Sequence, residues 1–258
     1  MKDLNITTIQ STLSWEDPNT NHNNFNKLID SINEPTDLIL LPEMFTTGFS
    51  MNPKPIAEKM DGPTIKWMAG KASTKNAVIA GSIIVEEDEK FYNRLIWMRP
   101  DGSYETYNKR HLFTLAGEHK KYTKGTERKI IDLHGWKICP LICYDLRFPV
   151  WSRNSEGYDV LLYVANWPDK RIDAWSSLLS GRAVENQCYT IGVNRVGADA
   201  TGLNYNGTTS VISYDGKLIY TVKDKVEVQT TTFNYKALHQ FRTKLAFLDD
   251  RDHFSLEI

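Results

Sequence analysis

Trp136-Lys137-Ile138-Cys139-Pro140-Leu141-Ile142, running straight into Cys143-Tyr144-Asp145-Leu146-Arg147-Phe148-Pro149, is the stretch on which the reading of this 258-residue chain turns. Its first half is a short, largely apolar run of the kind that forms a buried strand, and its second half is a polar turn closed by proline. A strand entering such an elbow exposes the Cys143 sulfur where a helix begins. Two other reactive side chains stand in the same relation to predicted strands: Glu43 follows Leu38 to Pro42, and Lys109 follows Tyr104 to Asn108. In sheets covered by helices, the carboxyl ends of strands are where sites assemble.

Around these points helices and strands alternate. Phe25, Leu28, Ile29 and Ile32 recur at the spacing of one helical face, and Asp37 to Leu41, apolar and stopped by Pro42, reads as a buried strand. Ala77 to Val85 is a further strand. Leu95 to Arg99 and Tyr104 to Tyr107 flank Pro100-Asp101-Gly102, and Lys129 to Leu133 and Trp136 to Ile142 flank His134-Gly135, which is the turn chemistry of two hairpins. Val160 to Ala165 reads as strand and Asp173 to Asn186 as helix, with Asp173 as its N-cap. Tyr189 to Asn194, Thr208 to Ser213 and Leu218 to Val222 complete a strand-rich second half, the last two joined at Asp215-Gly216. From Asn234 the pattern weakens, and 234–258 fits either a crossing segment or an interface arm. Mixed sheets covered by helices, a layered α/β domain, are the simplest solution. No repeat or linker divides the chain, so one domain is expected over 1–258.

The 31 Lys plus Arg against 32 Asp plus Glu leave a formal net charge of -1. Neither phosphate backbones nor acidic lipids are attracted over a broad surface by that balance, so nucleic acid and membrane are not expected partners. Three cysteines, Cys139, Cys143 and Cys188, are too few for a disulfide framework and point to a reducing, cytoplasmic setting. Met1 to Thr8 carry no apolar core of the length a secretory signal needs. The strongly apolar runs, such as Val160 to Ala165, fall far short of the roughly 20 residues that span a bilayer.

Singly, each reactive residue has an ordinary reading: Glu43 as a strand-end surface acid, Lys109 as a solvated charge beside Arg110, Cys143 as a small buried hydrophobe. Together they form a set. A free thiol titrates at about 8.5, so little thiolate exists at neutral pH. A Lys109 ammonium about 4 Å away would favour the anion by up to about 4 kcal/mol at an effective dielectric of about 20, before offsets. A carboxylate beside the thiol opposes that shift, yet Glu43 can accept the thiol proton at attack and return it to a leaving amine. A proton shuttle, a cationic oxyanion partner and a nucleophile are the parts that acyl transfer needs.

Pro42-Glu43-Met44-Phe45, Asn108-Lys109-Arg110-His111-Leu112-Phe113 and Cys143-Tyr144-Asp145-Leu146-Arg147-Phe148-Pro149 resemble, in this order, the three motif neighbourhoods of the nitrilase superfamily of carbon-nitrogen hydrolases. The resemblance extends from about Leu4 to about Val222. Phe45-Thr46-Thr47-Gly48-Phe49-Ser50-Met51, Val164-Ala165-Asn166-Trp167-Pro168 and Gly181-Arg182-Ala183-Val184-Glu185-Asn186-Gln187 are most similar to its omega-amidase branch. The resemblance implies a four-layer α-β-β-α sandwich, usually a homodimer that pairs through helical layers. It implies a cysteine-dependent amidohydrolase that releases ammonia from the terminal amide of small carboxylate-bearing amides, 2-oxoglutaramate or 2-oxosuccinamate, through a thioester and without metal or organic cofactor.

By the same resemblance Glu43, Lys109 and Cys143 are the catalytic residues, and a second glutamate maps onto Glu118, where it could orient Lys109 and hold it charged. The Tyr144 amide joins Lys109 in stabilising the oxyanion. Arg147 reads the substrate carboxylate, a role its planar fork suits. Phe49, Met51 and Trp167 are pocket walls. Without the resemblance Glu118 is a loop acid, Arg147 a structural partner of Asp145 or another acid, and the three apolar residues ordinary core. Carbamoyl-compound and nitrile hydrolysis are the alternatives inside the superfamily, and an inactive hydrolase fold serving as a binding or assembly module is the alternative outside it. A papain-like pairing of Cys143 with His111, His119 or His134 lacks the sequence of that class around the cysteine. A zinc site from Cys139, Cys143 and His134 lacks a second ligand pair of usual spacing.

Overall fold

The computed structural model describes residues 1–257. The first part of the chain forms β1 (Leu4–Gln10), α1 (Pro18–Asp30), β2 (Leu38–Leu40), α2 (Pro63–Lys75), β3 (Val78–Glu87), β4 (Lys90–Met98) and β5 (Tyr104–Asn108). Next come β6 (Ile131–Leu133), β7 (Trp136–Ile142), α3 (Pro149–Ser152), β8 (Val160–Ala165) and α4 (Ile172–Asn186). The last elements are β9 (Tyr189–Asn194), β10 (Val196–Ala198), β11 (Asn204–Ile212), β12 (Leu218–Lys223), β13 (Glu227–Phe233) and α5 (Tyr235–Lys244).

A six-stranded sheet has the order β13-β1-β2-β3-β4-β5, and a seven-stranded sheet the order β10-β11-β9-β8-β7-β6, with β12 on β11. Each has a parallel centre, β1-β2-β3 in one and β7-β8-β9 in the other, flanked by antiparallel strands. The period-2 alternation of side chains builds the layers. Leu38, Leu40, Val78, Ala80, Leu95 and Trp97 of the first sheet cluster with Trp136, Ile138 and Leu161 of the second, which is the core between sheets. The intervening Ile39, Leu41, Ile79, Ile96 and Met98 join Phe25 and Ile29 of α1 and Ile65, Met68 and Ala72 of α2 in a second core outside the first sheet. Helix α4 covers the far side of the second sheet so closely that a Cβ on Gly192 of β9 would lie 2.4 Å from Trp175 and 2.5 Å from Leu179. Helix, sheet, sheet and helix are therefore stacked in four layers in one α/β domain.

Several local expectations change. The hairpin expected from Leu95 begins at Lys90 and pairs with β3 across Asp88-Glu89, both left-handed at φ 51° and 60°, a two-residue turn without the glycine that usually betrays it. Asp173 is not an N-cap. A 3-10 turn over Asp169–Arg171 precedes α4 and puts Asp173 inside the first turn, where its charge still faces the helix N-terminus. The sheets continue past Val222 to Phe233, and the segment expected to be a tail starts as a folded helix: Leu238 is buried, and Arg242 donates to Asp159 Oδ1 at 2.8 Å.

Candidate active site

Each reactive side chain is set by a local backbone device. After β2 the chain leaves the sheet at Leu41, and Met44 adopts φ +43°, held by Met44 N donating to Ser82 Oγ at 2.9 Å and Phe45 N to Ser82 O at 3.1 Å. That turn carries Glu43. Lys109 N donates to Asn93 O at 2.9 Å, and Lys109 O accepts from Gly125 N at 2.8 Å. A Cβ at Gly125 would sit 2.1 Å from Asn108 O, so only glycine allows this approach. Cys143 adopts φ +44° at the start of a 3-10 turn over Cys143–Arg147. The buried Asp145 carboxylate ties this elbow down, accepting from Ile142 N (3.0 Å), Tyr107 OH (2.7 Å), His111 N (2.9 Å) and His111 Nδ1 (2.8 Å).

Glu43, Lys109 and Glu118 are all fully buried and form one cluster. Lys109 Nζ donates to Glu43 Oε1 at 2.9 Å and to Glu118 Oε1 and Oε2 at 3.0 and 2.9 Å. Glu43 also accepts from Asn93 Nδ2 at 2.7 Å and, on its other oxygen, from Asn166 N at 2.8 Å. Glu118 is further held by Phe113 N at 2.5 Å. Burial opposes the Lys109 charge, but Glu118 and then Glu43 more than make up for it and raise the ammonium above the usual lysine range. Burial raises Glu118, with Lys109 pulling the other way.

The Cys143 thiol lies beside Asn166 O, 4.0 Å away, and lines a cavity of about 490 Å3, counted to its open mouth, together with Lys109, Tyr144 and Asn166. Burial pushes the thiol well above its usual range, the Glu43 carboxylate adds to the rise, and Lys109 opposes it by less. Lys109 pulls the thiol toward the anion, the direction weighed from the sequence, while burial and the carboxylate pull it the other way. Removal from water and the repulsion of a carboxylate outweigh one ammonium whose charge is shared between two acids.

Of the expected pocket walls, Phe49 and Trp167 line the cavity, and so does Arg147, whose guanidinium lies 4.9 Å from the Trp167 ring centroid. Arg147 is not paired with Asp145. Met51 is not a wall: it packs in a small core with Met44, Ile84 and Tyr122. Asn93, Phe113, Arg171 and Tyr205 belong to the site and were not singled out in the sequence. Asn93 had a signal, an amide inside a strand that turns wholly buried. Of the histidines weighed as partners of Cys143, His111 is engaged with Asp145 and stacked on Phe148 at 3.7 Å, and His134 lies 3.4 Å from Asp37. Among the described residues no three His, Cys, Asp or Glu side chains are grouped to hold a metal ion.

A comparison with protein families matches residues 5–243 to the carbon-nitrogen hydrolases. The chain belongs to that family. This carbon-nitrogen hydrolase, an enzyme acting on C–N bonds other than peptide bonds, is 42% identical over 257 residues to the omega-amidase YafV of Escherichia coli K12, covering 99% of this chain and 100% of that one. It is 33% identical over 220 residues to the 2-oxoglutaramate amidase of Bacillus subtilis, covering 83% and 84% of the two chains. Its structure superposes with TM-score 0.98, at 40% identity and full coverage of both chains, on a CN-hydrolase superfamily protein from Xanthomonas campestris that carries an arsenic adduct in its active site.

Proposed function

We propose that this hydrolase releases ammonia from the terminal amide of small carboxylate-bearing amides, 2-oxo-acid omega-amides such as 2-oxoglutaramate and 2-oxosuccinamate, with Cys143 as nucleophile. The observation that carries the reading is a buried thiol that shares the wall of one pocket with Lys109, itself paired with Glu43, and with the Arg147 guanidinium. The omega-amidase and 2-oxoglutaramate amidase relatives, matched along most or all of their length, support the substrate class.

Because the thiol is protonated at rest, attack and proton transfer are coupled. Cys143 Sγ bonds to the amide carbon as Glu43 takes the thiol proton. The oxyanion is met by Lys109 Nζ and by the Tyr144 N–H, an amide at the start of a 3-10 turn where backbone donors lack intrahelical partners. Glu43 passes the proton to nitrogen, the C–N bond breaks and ammonia leaves a thioester. Water, deprotonated by Glu43, attacks the thioester; the C–S bond breaks and the sulfur recovers its proton from Glu43. Glu118 holds Lys109 in place and charged, and Arg147 binds the carboxylate of the substrate.

The test is ammonia release from a panel holding a 2-oxo-acid omega-amide, a neutral amide, a carbamoyl compound and a nitrile. Fastest turnover of the first supports the reading; preference for the carbamoyl compound or the nitrile replaces it. We also infer a homodimer, supported by exposed Val150 and Val184 on the helical layer and Phe247, Phe254 and Leu256 in the segment after α5. Light scattering at micromolar concentration decides it. Three free thiols support a reducing, cytoplasmic setting, and no described helix is long and apolar enough to cross a membrane.

A further inference from the structure

The pocket holds more positive charge than one carboxylate reader requires. Lys109, Arg147 and Arg171 line it, and no Asp or Glu does. The Lys109 charge is taken up by Glu43 and Glu118, but the two arginines stay uncompensated. The arginine–carboxylate pairs among the described residues involve Arg94, Arg99, Arg128, Arg182 and Arg242 instead. Arg147 and Arg171 each rest over an aromatic ring, Arg147 over Trp167 at 4.9 Å and Arg171 over Phe113 at 5.2 Å. A guanidinium supported through its face keeps its in-plane N–H donors for a ligand. Trp167 joins the two: its ring carries Arg147, and its Nε1 donates to the Arg171 carbonyl at 2.8 Å.

We propose that Arg171 is a second substrate-reading guanidinium and that with Arg147 it selects amides whose acid end presents a carboxylate and an adjacent oxo group. The proposal rests on the amidase reading and deepens it. A carboxylate and its neighbouring ketone offer three oxygens, more acceptor capacity than one bidentate arginine uses. A 2-ammonium group in place of the ketone would face two guanidiniums with no nearby acid among the lining residues, so the same pocket rejects the 2-amino acid amide of equal length.

The experiment compares kcat/KM for a 2-oxo-acid omega-amide with that for the corresponding 2-amino acid amide, in wild type, R171Q, R171A and R171K. R171Q retains part of the side chain over Phe113, so it separates loss of charge from loss of packing. The expected result is a fall in the 2-oxo to 2-amino preference of about tenfold or more in R171Q and R171A, carried by KM, with R171K recovering part of it. A preference within about twofold of wild type in both overturns the proposal. A second readout needs no turnover: protection of Cys143 from alkylation by iodoacetamide with 2-oxoglutarate as the probe. A protecting concentration about tenfold higher in R171Q supports the clamp, and an unchanged one overturns it. Wild type that releases no ammonia from the 2-oxo amide sinks the amidase reading alone, because the protection experiment still decides on Arg171.

Discussion

Replacing Asp145 by asparagine should weaken the whole protein while leaving its outline intact, and the size of the effect follows from who donates to that carboxylate. Four donors converge on it, two per oxygen: Ile142 N and Tyr107 OH on Oδ2, His111 N and Nδ1 on Oδ1. The amide turns one acceptor into an NH2 donor. Tyr107 OH already accepts from Trp151 Nε1 at 3.0 Å and Arg110 N at 3.3 Å, so it has no room to receive that group. The NH2 therefore faces His111, whose ring can switch tautomer and accept, but the His111 backbone N–H is left without an acceptor. One stranded backbone donor costs about 1–3 kcal/mol, and loss of the ionic component in the surviving bonds adds about 1 kcal/mol. The sum, about 2–4 kcal/mol, lowers Tm by about 4–16 °C for a chain of this size. Asp145→Ala strands Ile142 N as well, removes the tie on the left-handed Cys143, and should cost about twice as much stability and at least about tenfold in kcat. Scanning calorimetry and steady-state ammonia release on both variants provide the measurement. A Tm within about 1 °C of wild type for Asp145→Asn, or unaltered kcat in Asp145→Ala, would show that the elbow is not held by this carboxylate.

Cys143→Ala should abolish turnover and Glu43→Gln nearly so, with both proteins still unfolding cooperatively; wild-type rates in either remove that residue from the chemistry. Lys109→Ala leaves two carboxylates buried without their shared cation, so Tm should drop, and kcat in the folded protein should fall at least about a hundredfold. A loss confined to KM would mean that Lys109 only binds substrate. Stability should decline with alkaline pH and Cys143→Ala should flatten the decline. An unfolded thiol ionises at about 8.5 while burial holds the folded Cys143 thiol well above that, so above this pH the native state carries the extra proton and loses up to about 1.4 kcal/mol per pH unit per such thiol. Cys188, pushed up to about 12, adds a similar slope that the variant keeps. Identical pH slopes in the two proteins would mean that Cys143 ionises within the fold.

What could be read from the chain was what local chemistry encodes. Turn residues announced the β4–β5 and β6–β7 hairpins, apolar runs announced β2 and β8, and reactive residues just beyond strands marked where Glu43, Lys109 and Cys143 converge. What stayed hidden depended on distant partners. β13, Glu-Val-Gln-Thr-Thr-Thr-Phe, is mostly half-buried and polar, and becomes a strand through pairing with β1 at the other end of the chain. Helix α2 has few large apolar side chains and owes its place to the groove beside α1. Met51 and Trp167 are equally apolar in sequence, yet only the fold sends one to a core and the other to the pocket. The sign of the Cys143 shift likewise needed burial and two competing charges, which no motif displays.

The seam between β1 and β13 also sets a timetable. Leu4 opposes Phe233 and Gln10 opposes Glu227, with Thr7 Oγ1 and Thr230 Oγ1 2.8 Å apart midway. During synthesis at about 5–20 residues per second, β1 waits about 10–45 s for that partner to be made. Through this interval one border of the growing sheet offers bare backbone donors and acceptors to any neighbouring nascent chain. A polypeptide stopped short of Glu227 would leave β1, with its buried Leu4, Ile6 and Ile9, as the sheet edge in place of the polar, threonine-rich β13 that forms it in the finished enzyme.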